Sequence, residues 1–233
     1  MSVEKVIINL FGTGWYNAMR AYLQSQEFVK LGHWLMAERK QKRIYPEQKN
    51  VFKAFQLTPY EKVNVVFLGI SPYIKKHQAT GLSFGIEISE NMMITPSSLN
   101  IIIRELEKDL DILCLDFDYS LEGWAKQGVL MLNTSLTTQD GQLNSHLDMW
   151  KEFTLNVIDA INRMHENVIF ILIGEEAQLY EQYLNPLSTR LIKVPYPAKE
   201  IRGKSEFYDN NIFSKCNAML YMLEKEEINW DIK

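Results

Sequence analysis

The stretch Val63-Asn-Val-Val-Phe-Leu-Gly-Ile-Ser-Pro-Tyr73 carries the clearest fold signal in the chain. Its first six residues form a short apolar run rich in β-branched side chains, and the run ends at Gly69. Such a run is typical of a strand that is buried on both faces of a parallel sheet. Gly69 lets the backbone approach a ligand, and Pro72 stiffens the turn behind it. The stretch therefore predicts a central strand followed by a binding loop.

Similar apolar runs alternate with helical patterns along the rest of the chain. Strands are predicted at Val129–Leu132, Val168–Ile173 and Leu191–Val194, and helices at Ser97–Leu110, Trp150–Met164 and about Asn210–Lys225, with one or two more between Trp15 and Arg39. This alternation indicates an α/β fold with a mainly parallel central sheet. No repeat, linker or low-complexity tract is present, so we expect one domain that spans residues 1–233.

Composition and charge exclude several classes of protein. Hydrophobic residues make up 46% of the chain and charged residues 23%, which argues against a disordered or fibrous protein. The net charge of -4 excludes a uniformly basic nucleic-acid binder but not a locally basic face. No apolar run reaches the roughly 18–20 residues that span a bilayer, and the start lacks a secretory pattern. Two distant cysteines, Cys114 and Cys216, fit reduced thiols, so we expect a soluble intracellular protein without a membrane partner.

The segments that follow the predicted strands meet at one edge of the sheet, where ligands of open parallel sheets bind. They are Gly69–Tyr73, Asn133–Ser135, Gly174-Glu175 and Pro195–Pro197. The amide of Asn133 suits the edge of a base or another amide. Polar loop ends without a ligand are the alternative, but the convergence of four segments favours a site. The four histidines show no metal-ligand spacing, and no phosphate-binding glycine motif appears, so we expect no metal and no cofactor.

Several separated motifs, in the expected order, resemble those of family-1 uracil-DNA glycosylases. They are Ile44–Phe55, Gly69–Tyr73, Gly81–Phe84, Trp124–Asn133, Ser145-His146, Trp150–Thr154 and Ile228–Trp230. The resemblance extends from about Trp15 to Trp230 and implies a single α/β domain, with a central four-stranded parallel sheet flanked by helices. It also implies the chemistry of the family, which flips deoxyuridine out of the DNA stack and hydrolyses the bond between sugar and base.

The resemblance assigns a base pocket to this chain. Phe84 is matched to the residue that stacks on uracil, and Asn133 to the amide that hydrogen-bonds the uracil edge. Tyr73 is matched to the residue that excludes the 5-methyl group of thymine, and Ile70 stands where the family has Gln. We therefore expect the geometry of a uracil-type pocket to be retained.

The catalytic positions of the family are substituted. The family sequence Gly-Gln-Asp-Pro-Tyr-His is Gly69-Ile-Ser-Pro-Tyr-Ile74 here, so Ser71 replaces the Asp that activates water and stabilises the sugar cation. The family sequence His-Pro-Ser-Pro-Leu-Ser is Tyr196-Pro-Ala-Lys-Glu-Ile201, so Tyr196 replaces the His that assists the departing uracil. Ile201 is a candidate for the Leu that wedges into DNA. Because each such catalytic group is typically worth about 10²–10⁴ in rate, we expect efficient base excision to be lost.

A substitute for the lost Asp remains open, because other branches of the superfamily lack this residue and still work. Asp140, Asp148 and Glu175 are the carboxylates nearest in sequence to the motif loops, and solvated loop charges are the better interpretation of all three. His146 resembles the His of the family's Ser-His motif, where a structural role is at least as well supported as a catalytic one.

Basic loop residues predict contacts with DNA phosphates. The candidates are Lys75 and Lys76 after the first motif, and Lys199, Arg202 and Lys204 after the last. Ser97 and Ser98 follow Pro96 in a segment that resembles the family's phosphate-contacting Pro-Pro-Ser, and either serine could be the match. A further basic run, Arg39-Lys-Gln-Lys-Arg43, is most simply a solvated helix end.

Three functions remain open from the sequence. The first is a non-catalytic DNA-binding relative that acts in replication or repair, or on host DNA if the source is viral. The second is a working glycosylase with altered chemistry or another target base, and the third is a protein whose cleft binds a protein partner. The first is favoured, because several catalytic positions changed together and all became neutral or apolar. The expected partners are single- or double-stranded DNA, with a replication or repair protein or a DNA-mimic inhibitor as a further partner.

Overall fold

The structure is a computed structural model of the chain, and it describes residues 2–87, 95–164, 167–197 and 205–233. Within these ranges the α-helices are α1 (Val3–Phe11), α2 (Thr13–Ala18), α3 (Arg20–Leu23), α4 (Gln26–Gln41), α5 (Lys53–Leu57), α6 (Ser97–Leu110), α7 (Glu122–Lys126), α8 (Leu147–Met164), α9 (Glu175–Gln178) and α10 (Ile212–Met222). Short 3-10 helices lie at Gln48–Asn50, Tyr60–Lys62 and Leu179–Tyr183.

A four-stranded parallel sheet forms the centre of the fold. Its strands are β2 (Val65–Gly69), β3 (Val129–Asn133), β5 (Val168–Ile173) and β6 (Thr189–Val194), in the spatial order β3-β2-β5-β6. Every residue of β2, β3 and β5 is buried, which is why these strands are continuous apolar runs. A separate antiparallel pair joins β1 (Ile44–Tyr45) to β4 (Thr138–Gln139). The predicted fold class, α/β with a four-stranded parallel sheet flanked by helices, is confirmed.

The boundaries differ from the predicted ones for local reasons. The segment that was expected to hold one or two helices holds α2, α3 and α4, because the Ser25 side chain accepts a hydrogen bond from Phe28 N (3.2 Å) and so begins a new helix. Strand β2 begins at Val65, two residues later than predicted, and α8 begins at Leu147, three residues earlier than predicted. Helix α6 has the predicted ends.

The register of the sheet brings the ends of β2 and β3 together. Gly69 is directly paired with Asn133, and the ladder continues past both strands through a bond from Ser135 N to Ile70 O (2.9 Å). On the other side, Gly174 N donates to Val194 O (3.0 Å) where β5 and β6 end. The loops that follow all four strands therefore lie at one edge of the sheet.

The two cysteines are free, as the sequence predicts. Burial raises the pKa of the Cys216 thiol to about 12. No helix in the described ranges is long and apolar enough to cross a membrane.

Candidate base-binding site

A small cavity lies at the carboxyl edge of the parallel sheet. The residues that line it are Ile70, Ser71, Pro72, Tyr73, Ala79, Leu82, Phe84, Asn133 and Tyr196. All six residues to which the sequence assigned a pocket or catalytic position are among them. The structure thus brings together positions that are up to 126 residues apart in the chain, from Ile70 to Tyr196.

The back of the cavity depends on a glycine. A Cβ atom at Gly69 would lie 2.6 Å from the Asn133 Oδ1 atom and 2.9 Å from the Phe84 ring, so only glycine allows both side chains to occupy their positions. Asn133 is 7% exposed, and among the described residues its amide has no hydrogen-bond partner. The amide is therefore left with donors and an acceptor for a ligand.

The Phe84 ring is held by its backbone and by Tyr73. Phe84 has a φ of 60°, a left-handed conformation that is rare for a bulky side chain and that marks strained, often functional positions. The Tyr73 hydroxyl donates to Phe84 O (3.1 Å) and contacts Ser98 Oγ at 3.1 Å. Burial raises the pKa of the Tyr73 phenol above its ordinary value, so this hydroxyl stays protonated.

Tyr196 forms the outer wall of the cavity. Its ring centroid lies 6.3 Å from that of Phe84, with the planes tilted by 41°. The side chain is 42% exposed, and loss of hydration raises its pKa while the Ser98 hydroxyl opposes the rise. With Tyr196 in this position the cavity volume is about 10 Å³, which is room for one water molecule. A pyrimidine is larger than this volume, so the lining must rearrange before a base can enter.

Ser71 contributes a neutral hydroxyl. It donates a hydrogen bond to Asn144 Oδ1 (2.7 Å), a side chain from the loop before α8. None of the described residues that line the cavity carries an ionisable carboxyl or imidazole group. The cavity therefore offers an aromatic ring and hydrogen-bonding groups, but its described lining supplies no negative charge.

The other candidate catalytic residues lie outside the cavity lining. Asp140 is 3.6 Å from Arg43, Asp148 lines a different cleft, and Glu175 is an exposed residue at the start of α9. His146 is buried, and its Nδ1 atom lies 2.9 Å from Thr137 Oγ1. Loss of hydration lowers the pKa of this imidazole. The environment of His146 fits the structural role.

The predicted phosphate contacts are only partly visible. Lys75 and Lys76 are exposed, and Ser97 is exposed as the first residue of α6. Ser98 is 6% exposed and its hydroxyl is bonded to Tyr73, so Ser97 is the serine that is accessible to a phosphate. Three further predicted phosphate contacts, Lys199, Arg202 and Lys204, lie outside the described residues, as does the candidate wedge Ile201.

Three residues of the site were missed from the sequence. Ala79 and Leu82 line the cavity, and Asn144 fixes the Ser71 hydroxyl. Asn144 directly precedes the Ser-His motif, and its φ of 58° places it in a tight turn. The only sequence feature that could have indicated a role for Asn144 was its position next to the Ser145-His146 motif.

Comparison with known proteins identifies relatives over nearly the whole chain. A family model described as the uracil DNA glycosylase superfamily matches residues 55–220. A protein from Anoxybacillus flavithermus named uracil-DNA glycosylase is 37% identical over 228 residues, covering 97% of this chain and 99% of that protein. A Coxiella burnetii protein of the same name is 38% identical over 218 residues, covering 93% of each chain.

Solved structures show the same fold. The crystal structure of mimivirus uracil-DNA glycosylase has a TM-score of 0.84 and 25% identity, covering 100% of this chain and 90% of that one. A variant of the mimivirus protein has been solved in complex with UGI, with 24% identity and a TM-score of 0.84, covering 94% of this chain and 88% of that one.

Proposed function

The chain belongs to the uracil-DNA glycosylase superfamily, and we propose that it binds DNA, accepts a flipped uracil-type base in the cavity, and excises that base slowly or not at all. The observation that carries this proposal is a cavity that combines an aromatic ring and a free amide with an uncharged lining.

Recognition of the base follows from three side chains. Phe84 offers a ring for stacking, which is worth about 1–3 kcal/mol per base. The Asn133 amide can donate to a uracil carbonyl oxygen and accept from the ring N–H, whereas cytosine presents a different pattern. Tyr73 is anchored at both Phe84 O and Ser98 Oγ, so it forms a rigid wall that can reject a methyl group.

Slow excision follows from the missing charges. Hydrolysis gives the sugar cationic character while uracil departs as an anion, so a fixed carboxylate and a cationic or strong neutral donor would both lower the barrier. Ser71 carries no charge. Tyr196 is a weak acid whose pKa is raised further by burial. If their effects added, the loss of two such groups would reduce the rate by about 10⁴–10⁸; because groups that act together are not additive, we expect a reduction of about 10⁴.

A second candidate function is an active glycosylase with altered chemistry. The relatives named uracil-DNA glycosylase at 37–38% identity favour it. It requires a charged group from outside the described lining, such as Lys199 or Glu200, to reach the flipped nucleotide. The target base would then be uracil or a modified pyrimidine.

The proposed partner is DNA, single- or double-stranded, and the proposed place of action is inside the cell in replication or repair. Lys75, Lys76, Ser97, Lys199, Arg202 and Lys204 are the proposed phosphate contacts, and Ile201 the proposed wedge. A protein partner or an inhibitor on the same face is a weaker candidate, which only the UGI complex of the mimivirus protein favours.

One experiment tests these proposals together. Uracil release and equilibrium binding are measured on the same uracil-containing oligonucleotides, single- and double-stranded, with thymine-containing oligonucleotides as controls. We expect binding with a preference for uracil, and release that is about 10⁴-fold slower than that of the Anoxybacillus flavithermus relative. Multiple turnover near the rate of that relative would favour the second candidate. No DNA binding at low salt would remove both.

A further inference from the structure

A second cleft opens beside the base cavity, and we call it the basic cleft. Its volume is about 450 Å³, which is in the range of small-ligand pockets. The residues on which its chemistry depends are Arg39, Arg43, Lys49, Lys76 and His77. Ala79 lines both the basic cleft and the base cavity, so the two are neighbours at the loop that follows β2.

The lining of the basic cleft carries more positive than negative charge, which is the opposite of the chain as a whole. Two carboxylates, Glu47 and Glu87, line it together with four permanently cationic side chains, although the chain as a whole carries a net charge of -4. Arg43 lies 3.6 Å from Asp140, and Lys49 lies 3.4 Å from Glu47, but both pairs are exposed. Exposed pairs of this kind contribute little, so both cations can be shared with another anion.

Arg39 provides an independent sign of an anion site. Its guanidinium donates to Ile44 O (3.0 Å) and Pro46 O (2.7 Å), while its buried Nε atom has no partner in the described part of the chain. None of the described ion pairs includes Arg39, and burial lowers its pKa. A half-buried cation without a counter-ion is destabilised, and a bound anion would offset that cost. Arg39 lies in the last turn of α4, and the rest of the basic run is exposed, as the sequence predicts, but the Arg39 guanidinium folds back onto the turn after the helix and is half-buried rather than solvated.

We infer that the basic cleft binds phosphates of the DNA strand that carries the base in the cavity. The inference rests on the proposed function and extends the phosphate contacts from Lys76 to Arg43 and Lys49, which had no assigned contact with DNA. In this arrangement, a DNA strand that leaves the cavity passes Ala79 and enters the cleft. Arg43 and Lys49 then contact phosphates inside the cleft, and Lys76 contacts the strand where it enters. Free phosphate ions share this chemistry, so the test distinguishes the two.

The test variant is Arg43→Gln with Lys49→Gln, which removes two cations whose ion pairs are exposed. The matched control is Lys5→Gln with Lys30→Gln, which removes the same charge from exposed positions outside the cleft lining. Binding of a uracil-containing single strand is measured over a range of salt concentrations. With about 0.7 in slope per phosphate contact, the test variant should lose about 1.4 from the slope of log affinity against log salt. Over a fourfold rise in salt, that difference amounts to about a sevenfold change in affinity.

Two further arms locate the contact. Oligonucleotides with the uracil at the 5′ end or at the 3′ end should differ, because only one flank can enter the cleft, and the test variant should be weakened on only one of them. Replacement of chloride by inorganic phosphate at constant ionic strength should weaken wild-type binding by less than about threefold. Thermal unfolding of both double variants should match that of the wild type.

The outcomes separate this inference from the proposed function. A wild type that binds no DNA at low salt refutes the proposed function. A wild type that binds, with both double variants giving the same slope, refutes the basic cleft alone. Equal losses on the 5′ and 3′ oligonucleotides, or strong competition by phosphate that the test variant loses, also overturn the strand assignment.

Discussion

Restoring a carboxylate at position 71 together with an imidazole at position 196 should increase uracil excision, if the pocket recognises uracil and lacks only charge. The variant is Ser71→Asp with Tyr196→His. Both positions line the cavity, so both new groups face the same small volume. The matched control is Ser71→Asn with Tyr196→His, because Asn has the shape of Asp without its charge.

The structure sets the size of the expected gain. Ser71 Oγ lies 2.7 Å from Asn144 Oδ1, so an Asp carboxylate there would face an acceptor until the Asn144 amide turned its NH₂ group toward it. The turned amide forms a charge-assisted bond that keeps the carboxylate ionised. The Ser71 hydrogen bond that is lost costs about 0.5–1.5 kcal/mol. Each restored group is worth about 10²–10⁴ in rate, and pairs add incompletely, so we expect a combined gain of about 10²–10⁴.

Single-turnover uracil release measures this gain, with enzyme in excess over a uracil-containing single strand. The effect of the new carboxylate is the ratio between the rates of the Ser71→Asp and Ser71→Asn double variants, and it should be at least about 10². A ratio within about threefold would refute the argument, because a carboxylate at this position would then have no catalytic effect of the expected size. Binding of the same oligonucleotide, measured in parallel, ensures that both variants are saturated.

Two substitutions in the site and one at the buried His146, with a control substitution in helix α4, test separate features of the structure. Asn133→Ala should leave binding to undamaged DNA unchanged and should remove about 1–3 kcal/mol of the preference for uracil. Competition between uracil- and thymine-containing strands measures this preference, and an unchanged preference would show that the Asn133 amide does not recognise the base. Gly69→Ala should lower the melting temperature because its Cβ would lie 2.6 Å from Asn133 Oδ1, whereas Gly32→Ala, which meets nothing within 4 Å in helix α4, should raise stability by about 0.4–1 kcal/mol. Burial lowers the pKa of His146 below its ordinary value of 6.5, so the folded state favours the neutral imidazole. The free energy of unfolding should therefore decrease as the pH falls below about 6.5, and His146→Asn should make this decrease smaller. Urea unfolding between about pH 7 and pH 5 should be steeper in pH for the wild type than for this variant, and equal slopes would contradict the assignment.

The sign of the His146 prediction follows from its hydrogen bonds. Trp150 Nε1 donates to Thr137 Oγ1 (2.7 Å), so the Thr137 hydroxyl hydrogen is free to point at His146 Nδ1 (2.9 Å). That arrangement requires an unprotonated Nδ1. Protonation in acid would both break this bond and bury a charge, whereas an Asn side chain offers an acceptor oxygen that does not titrate.

The central sheet was predictable because its signal is local. Apolar runs such as Val168–Ile173 mark buried parallel strands regardless of their neighbours, and the parallel pairing of the four strands places their ends at one edge. The pocket lining was predictable only through recognised motifs. Phe84 illustrates the difference, because no local pattern shows that a phenylalanine takes a left-handed conformation against Gly69. A single domain over residues 1–233 stays a prediction.

The features that the sequence did not predict depend on distant contacts. The small base cavity includes Tyr196 in its lining, a residue that lies beyond β6 and whose ring centroid is 6.3 Å from that of Phe84. The burial of Ser98 depends on its bond to Tyr73, 25 residues earlier. In the sequence Arg39 is one charge in a basic run, and only the turn at Ile44–Pro46 shows that its guanidinium is half-buried. Such long-range packing has no periodicity that a sequence could reveal.

The closed cavity and the neutral lining together determine how a protein that recognises uracil would use its binding energy. Flipping a base costs a few kcal/mol, and the lining of the small cavity must also rearrange before the base can enter. Stacking on Phe84 contributes about 1–3 kcal/mol, and each hydrogen bond to Asn133 contributes about 0.5–1.5 kcal/mol. These terms nearly cancel, so the pocket by itself discriminates between bases but adds little affinity. An efficient enzyme would reserve further interactions for the transition state, where charge develops. A pocket without charged groups lacks such interactions with the transition state. Most of the affinity for DNA must then come from the phosphate contacts.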